Sequence, residues 1–116
     1  MEQTEGARLV AVVFRAPDGR VHHVEARESE SLMQAAVRNG IEGIVAECGG
    51  ECACATCHVY VDERFVGSLP PPSPAEADLL DFVAAERKTG SRLSCQIKLV
   101  AELDGIEVTL PERQIF

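Results

Sequence analysis

Tryptophan is absent from this 116-residue chain, and tyrosine occurs once. With only four phenylalanines besides, the core has to be built mainly from Val, Leu, Ile and Ala. No apolar run approaches the roughly 18 residues that suggest a membrane span, so no membrane role is expected. Positive charge is also scarce. Eleven Lys and Arg stand against nineteen Asp and Glu, for a formal net charge of −8. That balance argues against nucleic acid and anionic membrane surfaces, and it suits a partner with a basic docking face. The residues from Met1 to Glu5 are acidic and polar, unlike a secretory signal or an Arg-rich presequence, so a bacterial cytoplasmic protein is expected. The sequence shows no nucleophile–base pair and no dinucleotide-binding glycine motif after a strand. An enzyme is not expected.

What remains is enough for one domain, taken here as residues 1–116, near the commonest domain size. Such a chain buries roughly two-thirds of its unfolded surface, so folding does not oblige it to bind metal. Leu9 to Phe14 is a β-branched run, Pro17-Asp18-Gly19 a turn, and Val21 to Ala26 a second strand. Ser31 with Gln34 forms a capping-box pattern that opens a helix. The pairs Leu32 with Ala36 and Met33 with Val37 would give it one buried face, and Asn39-Gly40 would end it. Val59 to Val61 reads as a short strand. Leu69 and the prolines to Pro72 interrupt regular structure, and Ser73-Pro74-Ala75-Glu76 starts a second helix with an N-cap, a first-turn proline and a capping-box Glu. That helix should carry Leu79, Leu80 and Val83 to the core, place Asp78 and Asp81 on one face, and stop by Gly90. Cys95 to Leu99 reads as a strand, Asp104-Gly105 as a turn, and Ile106 to Leu110 as the last strand. Hairpins and two helices around a mixed sheet make an α+β protein.

Cysteine is concentrated. Cys48, Cys52, Cys54 and Cys57 fall within ten residues, and Cys95 stands apart. An odd number of thiols in a reducing compartment is more easily explained by metal than by disulfides. Five readings compete. Disulfide exchange through Cys54-Ala-Thr-Cys57 needs a strand-to-helix setting, whereas β-branched residues follow this pair. Cys54 to His58 also spells the C-x-x-C-H of covalent haem, but no export signal accompanies it and three cysteines would be idle. Structural zinc usually takes two short knuckles, and Cys95 has no companion near it. Cysteines acting as small buried hydrophobes do not explain four in ten residues among Gly and Ala. A 2Fe-2S cluster takes four thiolates, three from one loop. Cys48, Cys54 and Cys57 give C-x5-C-x2-C, one residue longer in the first gap than the plant-type spacing, with Cys95 as the distant fourth. Gly49 and Gly50 let the backbone approach the sulfides and donate N–H bonds. Cys52 is left over.

Several segments in order carry a resemblance. They are Glu47-Cys48-Gly-Gly, Cys54-Ala-Thr-Cys57-His58-Val-Tyr-Val61, Asp78-Leu-Leu-Asp81, Ser91-Arg-Leu-Ser-Cys95-Gln96, Leu103-Asp-Gly-Ile106 and Leu110-Pro-Glu-Arg-Gln114. From about residue 30 to the C-terminus the chain resembles the adrenodoxin and putidaredoxin type of 2Fe-2S ferredoxin. The resemblance implies a β-grasp fold with an acidic interaction lobe, roughly residues 62–90. It implies one 2Fe-2S cluster, with Cys48 and Cys54 on one iron and Cys57 and Cys95 on the other. It further implies a one-electron shuttle between a flavin reductase and a terminal acceptor.

Residues 62–86 hold six acids against one base, Arg64. Such a run is ordinarily a solvated helix face, and for Glu76 helix capping suffices. In the family, the positions of Asp78 and Asp81 contact basic residues of partners. Glu47 matches an acid that faces the oxygenase, and Phe116 lies near an aromatic end residue used in docking, although Ile115 intervenes. His58 is expected to hydrogen-bond in the core below the cluster, and Arg92 to form a structural ion pair. The preferred function is electron transfer from an NAD(P)H-dependent flavin reductase to a haem-thiolate (cytochrome P-450-type) monooxygenase, by a monomer. The alternative is electron supply for iron–sulfur cluster assembly, because bacterial assembly ferredoxins often carry Cys-x3-Cys-x-Cys-x2-Cys, the arrangement of Cys48, Cys52, Cys54 and Cys57. A zinc-stabilised interaction module is the third reading.

Overall fold

The computed structural model describes residues 9–41 and 57–112. Alternation in Leu9–Arg15 (β1) puts Val10, Val12 and Phe14 into the core and turns Leu9, Ala11 and Arg15 outward, the two-residue period of a half-buried strand. The Pro17-Asp18-Gly19 turn forms as expected. Gly19 takes φ +94°, and the Asp18 carboxylate accepts from the Arg20 backbone N–H at 3.0 Å. Val21–Arg27 (β2) then returns antiparallel to β1.

A five-stranded sheet is assembled in the order β2-β1-β5-β3-β4, where β3 is His58–Val61, β4 is Ser91–Leu93 and β5 is Ile106–Thr109. β5 lies parallel to β1 and antiparallel to β3, so the sheet is mixed. Gly105, at φ +88°, makes the turn into β5 and donates its N–H to the Ala11 carbonyl at 2.8 Å.

Helix α1 (Leu32–Arg38) has the complete capping box. Gln34 N–H donates to Ser31 Oγ at 3.0 Å, and Ser31 N–H donates to Gln34 Oε1 at 2.9 Å. Its buried face is Leu32, Met33, Ala35 and Ala36, while Val37 is exposed. The expected Met33–Val37 pairing is therefore corrected, because the stripe that meets the sheet is narrower and turns Val37 away. Asn39 and Gly40 close the helix, with Gly40 at φ +68°.

Glu63–Val66 forms a short helix, α2, capped by Asp62, which the sequence pattern did not announce. Two further expectations are corrected. Helix α3 (Pro74–Leu80) ends at Asp81 rather than near Gly90, and Val83 and Ala84 are buried by the irregular chain beyond it. Cys95 to Leu99 is not a strand. The ladder stops at Leu93, Ser94–Gln96 forms a 3-10 turn, and Ile97 and Leu99 reach the core through hydrogen bonds with the segment before α1. Among the described residues, no helix is long and apolar enough to cross a membrane.

Candidate metal centre

Two cysteines far apart in sequence meet where β3 begins and β4 ends. Pairing of His58 with Leu93 puts Cys57 one residue before the ladder and Ser94 and Cys95 just after it. Ser94 locks this junction by donating both its N–H and its hydroxyl to the Cys57 carbonyl, each at 2.8 Å. The 3-10 turn that follows presents Cys95 beside Cys57, with the two thiols in side-chain hydrogen-bonding reach. This contact and then burial push the Cys57 thiol far above its ordinary value. A lone thiolate is costly in such surroundings. A metal that shares the charge offsets that cost.

Burial is asymmetric across the pair. Cys57 is wholly enclosed, whereas Cys95 is half-buried and lines a surface hollow with Met33, Gln34, Gln96 and Lys98. The Gln96 amide donates to the Cys95 sulfur at 3.4 Å. Two thiols so placed, one towards the core and one towards a surface hollow, fit one side of a cluster that exchanges electrons near the surface. Among the described residues, no group of three or more His, Cys, Asp or Glu is poised to hold a metal. Cys48, Cys52 and Cys54, with Glu47, Gly49, Gly50 and Phe116, lie outside the described residues.

His58 is held within the core. It is fully buried, its Nε2 is hydrogen-bonded with Ser91 Oγ at 2.8 Å, and its ring meets Tyr60 edge-on at 4.7 Å. Burial, reinforced by the nearby Lys88 charge, pushes its pKa down to about 4. A neutral imidazole spanning β3 and β4 is the core role expected of it.

The acidic segment divides into carboxylates with structural work and carboxylates facing water. Asp62 caps α2 and binds Arg64 at 2.9 Å. Arg64 also reaches Glu107, which in turn meets Arg15. Glu76 is not a capping-box residue. Ser73 Oγ does accept from the Glu76 N–H, but the carboxylate is 1% exposed and grips Arg92 in two bonds of 2.7 and 2.9 Å. The same carboxylate accepts from the Leu93 N–H at 2.9 Å, and Arg92 donates to the Pro70 carbonyl at 2.8 Å. This bidentate pair ties α3 and the proline loop to the strand that leads to Cys95. Arg92 thus forms the structural ion pair expected of it. Its partner was missed because the four residues from Ser73 to Glu76 fit a capping box so well. Asp78 and Asp81 are both exposed, and Asp81 is paired with Arg87. Glu63 and Glu86 are exposed as well.

Comparison with known proteins extends these observations. Residues 16–100 match the model of the 2Fe-2S iron-sulfur cluster binding domain. Ferredoxin CarAc from a Sphingomonas species is 55% identical over 105 residues, covering 90% of this chain and 95% of that protein. Putidaredoxin from Pseudomonas putida is 50% identical over 103 residues, covering 89% and 96% respectively. The crystal structure of the covalent putidaredoxin reductase–putidaredoxin complex contains a chain that superposes with a TM-score of 0.86 at 50% identity, covering 89% of this chain and 99% of that one.

Proposed function

Because this chain belongs to the 2Fe-2S iron–sulfur cluster binding domain family, among ferredoxins of the putidaredoxin type, we propose that it takes electrons from an NAD(P)H-dependent flavin reductase and delivers them singly to a haem-thiolate monooxygenase. The protein is a one-electron carrier with one 2Fe-2S cluster, and not an enzyme in its own right. Family membership removes the zinc module from consideration.

In this reading Cys48, Cys54, Cys57 and Cys95 hold the cluster, and the Gly49 and Gly50 backbone approaches it. The cluster supplies a one-electron couple. The chain's own contribution is to hold the thiolates rigid, limit water around Cys57, and donate N–H groups to sulfur, the levers that set a potential. The observation that carries the reading is the meeting of Cys57 and Cys95 under the Ser94 lock. Residues 1–116 act as one domain, a cytoplasmic monomer in this reading. Its docking face comprises Asp78 and Asp81, in the acidic lobe around residues 62–90, together with Glu47 and Phe116 outside that lobe.

The flavin reductase is supported by putidaredoxin, a relative joined covalently to its own reductase in a crystal structure. Reconstitution with such a reductase and candidate haem-thiolate monooxygenases tests the proposal. Substrate oxidation should depend on this protein and slow as salt rises, because exposed charge steering is screened. Failure with every such oxygenase overturns the proposed acceptor, and a salt-independent rate removes Asp78 and Asp81 from docking. A second reading, electron supply to cluster assembly, rests on Cys52 and its spacing. Binding to a cysteine desulfurase, lost in Cys52→Ser, would favour it.

A further inference from the structure

We propose that Phe82 is the apolar anchor by which this protein docks its flavin reductase, seated in an apolar socket ringed by basic side chains. The inference rests on the reductase reading above and adds a residue to it. Phe82 follows Asp81, the C-terminal cap of α3, and is 68% exposed, more than any other large hydrophobic side chain among the described residues. Its neighbours do the opposite. Leu80, Val83 and Ala84 are all buried, so the chain dips into the core on both sides and turns this one ring outward.

The ring is carried on fixed backbone. Phe82 N–H donates to the Leu79 carbonyl at 2.9 Å, and Asp81 N–H to the Asp78 carbonyl at 3.2 Å. Upstream, the buried Glu76–Arg92 pair holds α3 against β4. A single exposed apolar side chain is ordinary on a protein surface. Phe82 is distinguished by its setting, on a rigid turn with the exposed carboxylates of Asp78, Asp81 and Glu86 close in sequence on either side. An aromatic centre in a charged rim is the composition of an interface hot spot. The sign of the rim, on a chain of net charge −8, selects a basic partner face. Asp81 already shares its charge with Arg87, which weakens its attraction for a second cation and leaves more of the binding to the ring.

The test compares cluster-loaded wild type, Phe82→Ala and Phe82→Leu in NAD(P)H-driven reduction by flavin reductases, putidaredoxin reductase being the first probe. Phe82→Ala should raise KM about tenfold with kcat nearly unchanged, and Phe82→Leu should recover part of the loss. The visible spectrum, thermal stability and reduction by dithionite should match wild type in both variants. The salt dependence of kcat/KM should also be unchanged, because no charge is altered. Equal KM values for wild type and Phe82→Ala overturn the anchor while leaving the reductase reading intact. The anchor is equally overturned if sedimentation shows a wild-type dimer that Phe82→Ala dissociates without a change in KM. A wild-type protein that no flavin reductase reduces overturns the underlying reading and the anchor with it.

Discussion

Ser94 gives two hydrogen bonds to one acceptor, the carbonyl oxygen of Cys57, from its N–H and from its hydroxyl. Both residues are fully buried, and each adjoins or is a thiol of the candidate centre. Two donors on one oxygen fix the separation of the strand ends more firmly than a ladder bond alone.

Ser94→Ala removes the hydroxyl donor and keeps the N–H bond. The expected cost is about 1 kcal/mol of stability, with faster loss of cluster absorbance on incubation at moderate temperature. Thermal unfolding and bleaching of the visible spectrum measure the two effects. An unchanged bleaching rate would show that the second bond does not hold the site together.

The Glu76–Arg92 pair is buried and bidentate, so its two halves cannot be removed singly without leaving an uncompensated charge. Glu76→Gln or Arg92→Met should each destabilise by about 3–5 kcal/mol. The double change Glu76→Gln with Arg92→Met should cost less than the sum of the two singles, because no unpaired charge is left. Chemical denaturation of the three variants checks the order. A double variant as unstable as the sum of the singles would mean that packing, and not charge, dominates there.

Parts of this molecule are legible in its sequence alone, and the reasons are local. β1 announces itself by strict alternation, α1 by a capping box that forms in full, and two turns by glycines that take positive φ. What escaped depends on partners distant in sequence. Glu76 looks like a cap until Arg92 arrives across the fold. The run from Cys95 to Leu99 has strand composition, yet Ser94 is already committed to Cys57 and bends the chain into a 3-10 turn. Val37 has the helical spacing of a core residue but lies beyond the stripe the sheet covers. At the site, the roles of Cys57 and Cys95 were read from spacing and resemblance, whereas the Ser94 bonds to the Cys57 carbonyl at their junction have no signature in the sequence.

Gly90 supplies a close approach. Its carbonyl accepts from Val61 N–H at 2.8 Å, and a Cβ at position 90 would run into the Val61 backbone oxygen. Gly90→Ala should destabilise by about 1–3 kcal/mol as the strand shifts to make room. A melting curve is sufficient to see it. Wild-type stability would mean that the segment before β4 relaxes freely.

Gln96 donates to the sulfur of Cys95, and N–H donors to cluster sulfur stabilise the more negative, reduced state. Gln96→Ala should therefore lower the reduction potential without loss of iron. Protein-film voltammetry reads this directly. An unchanged or higher potential would remove Gln96 from the tuning of the centre.

The most direct test of the central claim, that Cys95 joins Cys57 in the cluster while Cys52 does not, is iron and acid-labile sulfide analysis alongside the visible spectrum. It should be made on anaerobically purified wild type, Cys95→Ser and Cys52→Ser. Two irons and two sulfides per chain are predicted for wild type and Cys52→Ser, with the same spectrum. Loss of the normal cluster is predicted for Cys95→Ser. A Cys95→Ser protein with an intact cluster, or a Cys52→Ser protein without one, would contradict the claim.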